Sequence, residues 1–281
     1  MRDGPSRASV EGMTKTLIMG VINVTPDSFF DGGRIGTPEA ARAHADRLVQ
    51  NGADLLDVGG ESSRPGADAV GLEEELRRVL PVFEALEGVG ARISVDTYRA
   101  ETARRALEGG AWMVNDITAL RGDPEMAGVV ASSGCRCVLM HMQGTPKTMQ
   151  EAPRYVDVVD AVCAFFEERL EAAARAGVGE DQVWLDPGFG FGKTVDHNLM
   201  LLRRLEAFQR FGLPLLIGTS NKSTIGAVLD APVEDRLEGT AATVAIAVLK
   251  GVHCVRVHDV KAMARVAHMS DAIAGRYTGH G

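Results

Sequence analysis

What the chain lacks narrows it first. It has only four cysteines in 281 residues, Cys135, Cys137, Cys163 and Cys254. None forms a Cys-x-x-Cys pair and the histidines are scattered, so free buried thiols in a reducing compartment are expected, not a metal site or disulfides. Cys135 and Cys137 straddle Arg136 and are expected to enter a strand on one face. No apolar run reaches the roughly 18 residues of a membrane span. Residues 1–14 lack the apolar stretch of a signal peptide and read as a flexible arm. A cytoplasmic protein is expected. A surplus of positive charge is also missing: 30 Lys and Arg stand against 38 Asp and Glu, for a net charge of −8. Neither nucleic acid nor membrane is therefore an expected partner. An anionic substrate stays open, because local basic groups and helix N-termini bind anions inside acidic proteins.

Two nucleotide motifs are absent as well. A doubly wound open sheet usually carries Gly-x-Gly-x-x-Gly after its first strand, where this chain has Asn23-Val24-Thr25-Pro26. The run Gly192-Lys193-Thr194 resembles the end of a phosphate-binding P-loop, but Pro187 falls where the first glycine belongs. Asn221-Lys222-Ser223 fails likewise, with Asn221 in the second glycine's place.

What is present is a regular alternation. Short apolar runs predict strands at residues 17–22, 55–59, 93–95, 112–114, 137–140, 183–185, 215–217 and 254–257. Their continuous apolar character fits strands covered on both faces. Helical patterns lie between them. Thr37-Pro38 opens the first, as an N-cap followed by proline at the first helical position, and Gly52 ends it. Others are predicted over 73–86, 100–108, from Asp123-Pro124 to near Gly134, then 156–176, 198–211, 238–250 and 260–274. A further one begins near Lys222-Ser223. In the 156–176 helix, Val158, Val159, Val162, Phe165, Phe166 and Leu170 form one apolar face. No linker or low-complexity segment interrupts the series. Eight strand–helix units predict a single α/β domain, a (β/α)8 TIM barrel over residues 15–281, with its site where the strands end at their C-terminal edge.

Each strand hands a polar group to that edge. In order these are Asn23; Glu61, Ser62, Ser63 and Arg64; Asp96; Asn115 and Asp116; His141; Asp186; Ser220 to Ser223; then Arg256 and His258. Some polar residues are needed there merely to meet water. That does not explain Asp96, Asn115 and Asp186, which follow apolar strands with little room for solvation. Together they suit a guanine-like edge: Asp186 accepts from an amino group and a ring N–H, Asn115 both donates and accepts, and Asp96 faces another ring nitrogen. Lys222 would approach the exocyclic oxygen. Asn23, Arg256 and His258 suit a diphosphate, and Asn23 could add an oxygen to Mg²⁺. His141 reads as a structural loop anchor. The stretch Asp186-Pro187-Gly188-Phe189-Gly190-Phe191-Gly192-Lys193 follows the sixth strand, and reads either as one wall of a pocket for a flat heterocycle or as a surface turn.

These pieces resemble the dihydropteroate synthase family. The resemblance runs from about Leu17 to the last helix. It is carried by Met19–Phe29, Asp57–Gly66, Ser94-Val95-Asp96-Thr97, Val114-Asn115-Asp116, Met140–Pro146, the Asp186–Lys193 stretch and Arg256–Val260. It implies condensation of 6-hydroxymethyl-7,8-dihydropterin diphosphate with p-aminobenzoate, giving 7,8-dihydropteroate and diphosphate with Mg²⁺ assisting. It implies that Asp96 and Lys222 are catalytic and that Asp96, Asn115, Ile117, Met140, Asp186 and Lys222 hold the pterin. Asn23, Arg256 and His258 would hold the diphosphate, with Asn23 on the metal. Ser63, Arg64, Pro65, Phe191, Ser220 and Ser223 would line the p-aminobenzoate pocket, with Phe189 and Phe191 packing against the substrates. Loops 24–34 and 62–69 would close over the site. Sulfonamides would compete there, and a homodimer is implied, with the 156–176 helix as one possible interface. The family usually reads Ser-Arg-Lys-Ser where this chain has Ser220-Asn221-Lys222-Ser223, which removes a charge near the second substrate. A pterin-binding methyltransferase with a corrinoid partner, and a noncatalytic pterin-binding paralogue, are the competing readings.

Overall fold

Short apolar runs, flanked by helices, bury both faces when they close on themselves. The computed structural model has that architecture; it describes residues 15–24, 37–64 and 66–276. The parallel strands are β1 (Leu17–Asn23), β2 (Leu55–Gly59), β3 (Arg92–Asp96), β4 (Met113–Asp116), β5 (Arg136–Met140), β6 (Val183–Asp186), β7 (Leu216–Ile217) and β8 (Cys254–Val257). They lie in the order β6-β5-β4-β3-β2-β1-β8-β7. A bridge between Leu185 and Leu215, with the Leu185 N–H donating to the Pro214 carbonyl at 2.9 Å, joins β6 to β7 and closes the ring.

Helices cover the outside: α1 (Pro38–Gln50), α2 (Leu72–Ala85), α3 (Ala100–Glu108), α4 (Met126–Ser133), α5 (Val158–Arg175), α6 (Val195–Arg203), α7 (Ser223–Leu229), α8 (Leu237–Leu249) and α9 (Val260–Ile273). The Thr37 cap is as expected, its hydroxyl accepting from Ala40 N–H. Two expectations are corrected. The 198–211 helix starts earlier and breaks: Thr194 caps α6, and residues 205–211 form a separate 3-10 segment stopped by Gly212 at φ 66°. Asp123 does not cap α4; its carboxylate accepts from Glu125 N–H and from Ala100 N–H, tying α4's lead-in to the start of α3.

Strand alternation sorts every residue. Met19, Leu55, Met113, Val138, Trp184, Leu216 and Cys254 make one apolar layer inside the ring. Their neighbours Ile18, Leu56, Val114, Cys137, Val183, Ile217 and Val255 face outward into the main core with the helices. Cys135 and Cys137 share that outer core, and all four cysteines are buried and free. Two residues beyond the inner apolar layer come Asp57, Asn115, Met140, Asp186 and Arg256. The floor of the barrel mouth is therefore set by register. Among the described residues no helix is long and apolar enough to cross a membrane.

Candidate active site

Asp57 is fully buried on β2, and one of its oxygens, Oδ2, takes two donors. Asn115 Nδ2 donates to it at 3.0 Å and Arg256 Nε at 2.6 Å. Arg256 Nη2 reaches on to Asp96 Oδ2 at 3.0 Å. One guanidinium thus faces two carboxylates. Burial and the neighbouring Asp57 charge push Asp96 up to about 7, against the pull of Arg256. The sequence reading set Arg256 beside Asn23 and His258. Its side chain runs into the mouth, and these two contacts use two of its five N–H donors.

Asp186 ends β6. Its Oδ1 accepts from Gly188 N–H at 2.7 Å and its carbonyl from His141 N–H at 2.9 Å. Burial raises its pKa, opposed by the Lys222 charge. Lys222 Nζ donates to the Phe189 carbonyl and lies 4.3 Å from the Phe191 ring centre. Burial pulls its pKa down to about 7, opposed by Asp186. Asp186 and Lys222 thus lie near enough to oppose each other's burial shifts, beside an apolar shelf of Ile117, Met140, Met142 and Met149 with Phe191 packed on it.

The glycine-rich stretch is a built loop, not a plain turn. Gly188 has φ 67°, and a Cβ there would strike the backbone carbonyl of His141. Gly190 has φ 85°, and its Cβ would stand 2.7 Å from Lys222 Cδ, so glycine lets the lysine stem cross the loop. Lys193 holds the loop from beneath. Its Nζ reaches His141 Nδ1 at 2.9 Å, the Gly188 carbonyl at 2.9 Å and the Phe191 carbonyl at 3.0 Å. Burial lowers Lys193 to about 7. Burial and the Lys193 charge hold His141 far below its usual range, so the ring is neutral and Nδ1 accepts. His141 is the loop anchor expected. Asn198 completes the frame, accepting from Gly190 N–H at 2.8 Å and donating to Thr224 Oγ1 at 2.8 Å.

Other expected site residues spread around this floor. Ser220 Oγ accepts from His258 N–H at 3.2 Å and lies 3.0 Å from His258 Nδ1, binding the β7–α7 loop to the end of β8. Asn23 ends β1 beside Gly59 of β2. Ser63 and Arg64 lie on the β2–α2 loop, and Ser223 is exposed at the start of α7. Pro65, the arm 1–14 and residues 25–34 of the first loop lie outside the described residues.

Two expectations change. Phe189 is not a substrate-facing wall, because its ring is fully buried in the outer core. Asp116 is not on the rim: alternation turns it outward, where it accepts from Thr118 N–H, Thr118 Oγ1 and Leu120 N–H. Asn221 sits at φ 58°, a left-handed conformation asparagine tolerates, with its Oδ1 3.4 Å from Thr240 Oγ1 of α8. A larger groove of about 340 Å³ between α3 and α4 lies away from these strand ends.

The family model described as pterin binding enzyme matches residues 19–258. Dihydropteroate synthase of Escherichia coli is 48% identical over 245 residues, 87% of this chain and 86% of its own length. The Synechocystis dihydropteroate synthase is 45% identical over 261 residues, 92% of this chain and 90% of its own. The chain belongs to the dihydropteroate synthase family. Among solved structures of that family, the Yersinia pestis dihydropteroate synthase in a sulfonamide drug complex superposes with a TM-score of 0.90 at 42% identity. It covers 94% of this chain and 96% of its own. The Xanthomonas albilineans dihydropteroate synthase with 4-aminobenzoic acid gives 0.85 at 44%, covering 92% and 93%.

Set beside the dihydropteroate synthase motifs, the residues that sequence reasoning missed have a common character. Asp57, Lys193 and Asn198 all act on other protein groups first. Asp57 was the most legible, because it is a carboxylate inside an otherwise apolar predicted strand, where an unpaired charge is costly. Asn198 carried no local signal; its partners Gly190 and Thr224 are brought to it by the fold.

Proposed function

We infer that the barrel mouth performs the dihydropteroate synthase reaction. The p-aminobenzoate nitrogen forms a bond to the methylene carbon of 6-hydroxymethyl-7,8-dihydropterin diphosphate. The carbon–oxygen bond breaks, its electron pair leaves with diphosphate, and the nitrogen loses a proton. The observation that carries this reading is the polar floor itself. Asp96, Asn115 and Asp186, backed by Asp57, present acceptors and an amide at the strand ends next to an apolar shelf, as a flat, amino-bearing heterocycle requires.

In this reading Asp186 accepts from the pterin amino group and adjacent ring N–H, while Asn115 and Asp96 meet the far ring. Ile117 and Met140 pack on its face. Lys222 polarises the ring oxygen and shields one face with Phe191. Asp96 also favours the cationic pterin methylene as diphosphate departs. Asn23, His258 and the remaining donors of Arg256 hold the diphosphate, and the carboxylates of Asp57 and Asp96 keep Arg256 oriented. Ser63, Arg64, Pro65, Phe191, Ser220 and Ser223 form the p-aminobenzoate half-site, where sulfonamides compete.

Among the described residues no group of three His, Cys, Asp or Glu could hold a metal. The one ligand assigned, the neutral amide oxygen of Asn23, fits a Mg²⁺ that arrives with the diphosphate rather than one held by protein alone. When bound, Mg²⁺ would neutralise charge on the leaving diphosphate.

The remaining parts of the reading concern the whole chain. The pterin-binding barrel works in this reading as a cytoplasmic homodimer. Exposed apolar side chains support the dimer: Val228 and Leu229 on α7, Ile246 and Leu249 on α8, Met269 and Ile273 on α9. The buried residues of α5 pack it onto the barrel instead.

Mixing the protein with Mg²⁺, the pterin diphosphate and p-aminobenzoate tests the reaction. Diphosphate and dihydropteroate should appear in equal amounts. Pterin binding without turnover would instead make the protein a noncatalytic paralogue.

A further inference from the structure

A second charge network lies at the neck of the β2–α2 loop, and none of the roles above uses it. Glu61 and Val70 stand at the two ends of that loop. Val70 N–H donates to Glu61 Oε2 at 3.1 Å. Arg99, just ahead of α3, closes the same neck: its Nη2 lies 2.9 Å from Glu61 Oε2, 2.5 Å from the Val70 carbonyl and 2.9 Å from the Tyr98 hydroxyl. Tyr98 in turn donates to Glu61 Oε1 at 3.0 Å.

The other end of the guanidinium is anchored in the core. Arg99 Nη1 donates to Glu75 Oε2 at 2.8 Å. Glu75 is 1% exposed and also accepts from Thr97 Oγ1 and Thr102 Oγ1, each at 2.8 Å. Thr97 directly follows Asp96. A small cavity is shared between this network and the site: Glu61, Thr97 and Tyr98 line it together with Ser63, Asp96 and Ile117.

We propose that Arg99 is the positioning residue of the p-aminobenzoate half-site, locking the neck of the loop that carries Ser63 and Arg64 to the strand end that carries Asp96. This role rests on the functional reading above. A planar fork with two separate nitrogens spans Glu61 and Glu75 from opposite ends, whereas a lysine ammonium offers its donors from a single point on a flexible stem. Arg78 Nη1 holds the Gly60 carbonyl at the loop's start at 2.8 Å, and two ties further along it are weaker holds. Gly66 N–H donates to the Pro146 carbonyl at 3.1 Å, and Lys147 pairs with Asp68 at 3.0 Å on the exposed surface. With the neck open, the loop would sample more conformations, and its residues would meet the second substrate less often in the reacting geometry.

The test uses Arg99→Met, Arg99→Lys and Glu61→Gln in the full chain. Arg99→Met should raise KM for p-aminobenzoate roughly ten- to a hundredfold. Calorimetric binding of the pterin diphosphate should not change. Amide exchange across residues 62–70 should quicken. Arg99→Lys should recover part of the loss. If Arg99→Met leaves Glu75 unpaired and fails to fold, Glu61→Gln decides, because it weakens the neck and leaves the Arg99–Glu75 pair intact. A fall in kcat with KM for p-aminobenzoate and loop exchange unchanged would overturn the proposal. A wild-type protein that makes no dihydropteroate overturns the functional reading and the half-site role with it. Loop exchange then decides separately whether Arg99 clamps the neck.

Discussion

Asp186 shows how one carboxylate is committed before any ligand arrives. One oxygen already accepts from Gly188 N–H, and the other side of the group faces the mouth with Lys222. An amide there presents a donor where acceptors are needed. Asp186→Asn should therefore weaken pterin binding by about 2–3 kcal/mol, near a hundredfold, measured by calorimetry; wild-type affinity would refute the role. Asp96 gives the pH prediction. Its folded pKa is held up to about 7, while the unfolded chain sheds this proton near the ordinary aspartate value of 3.8. Between those values the folded state binds the extra proton, so this group's contribution to stability falls as pH rises through the window. A carbon-13 titration of the free protein should show the Asp96 carboxyl changing near pH 7. Asp57→Asn should move that midpoint down, because the neighbouring charge is one of its causes. A midpoint near 4 in the wild type would contradict the geometry.

At the scale of elements, the loop after β6 is the informative case. Its glycines and phenylalanines were legible as a motif but not as a division of labour. The two rings lie on one short loop, yet Phe189 turns into the outer core and Phe191 onto the shelf. Backbone turns at positive φ reset which way each ring points, and no periodicity encodes that. Lys193 was equally open until its acceptors came together. Lys193→Met would leave the Phe191 carbonyl and the His141 ring without this donor, and would leave the Gly188 carbonyl only the Phe191 N–H; it should cost about 3 kcal/mol. Thermal unfolding should show a Tm lower by several degrees, and a fully native Tm would remove Lys193 from its structural role. The α6 boundary was misplaced for a related reason. Thr194 is a good cap, but it follows a glycine-rich run whose length gives no hint of where the helix begins.

At the scale of the whole molecule, the exposed apolar residues of α7, α8 and α9 call for a partner surface. Sedimentation should find a dimer in solution, and Leu249→Lys combined with Met269→Lys should shift it toward monomer. A wild-type monomer would end that proposal. The exposed apolar faces of α7–α9 could not be foreseen from helix patterns, because α8 is apolar nearly all round and its faces are told apart only once the barrel takes one of them.

The alternation of apolar runs and capped helices was enough by itself to determine the barrel, the strand ends and the polar residues placed there, because burial on both strand faces leaves few other closed arrangements. Which of the strand-end residues face inward was settled by the register of the closed ring, which turns Asp116 outward while Asn115 and Asp186 face the mouth. Tertiary structure alone decided what those groups meet. Arg256 was drawn between Asp57 and Asp96, Lys193 went beneath the loop and Lys222 above it, and Arg99 closed a neck between residues far apart in the chain. Buried charge is tolerated only beside its complement, and which complement lies within reach is a property of the closed ring, not of any segment of it.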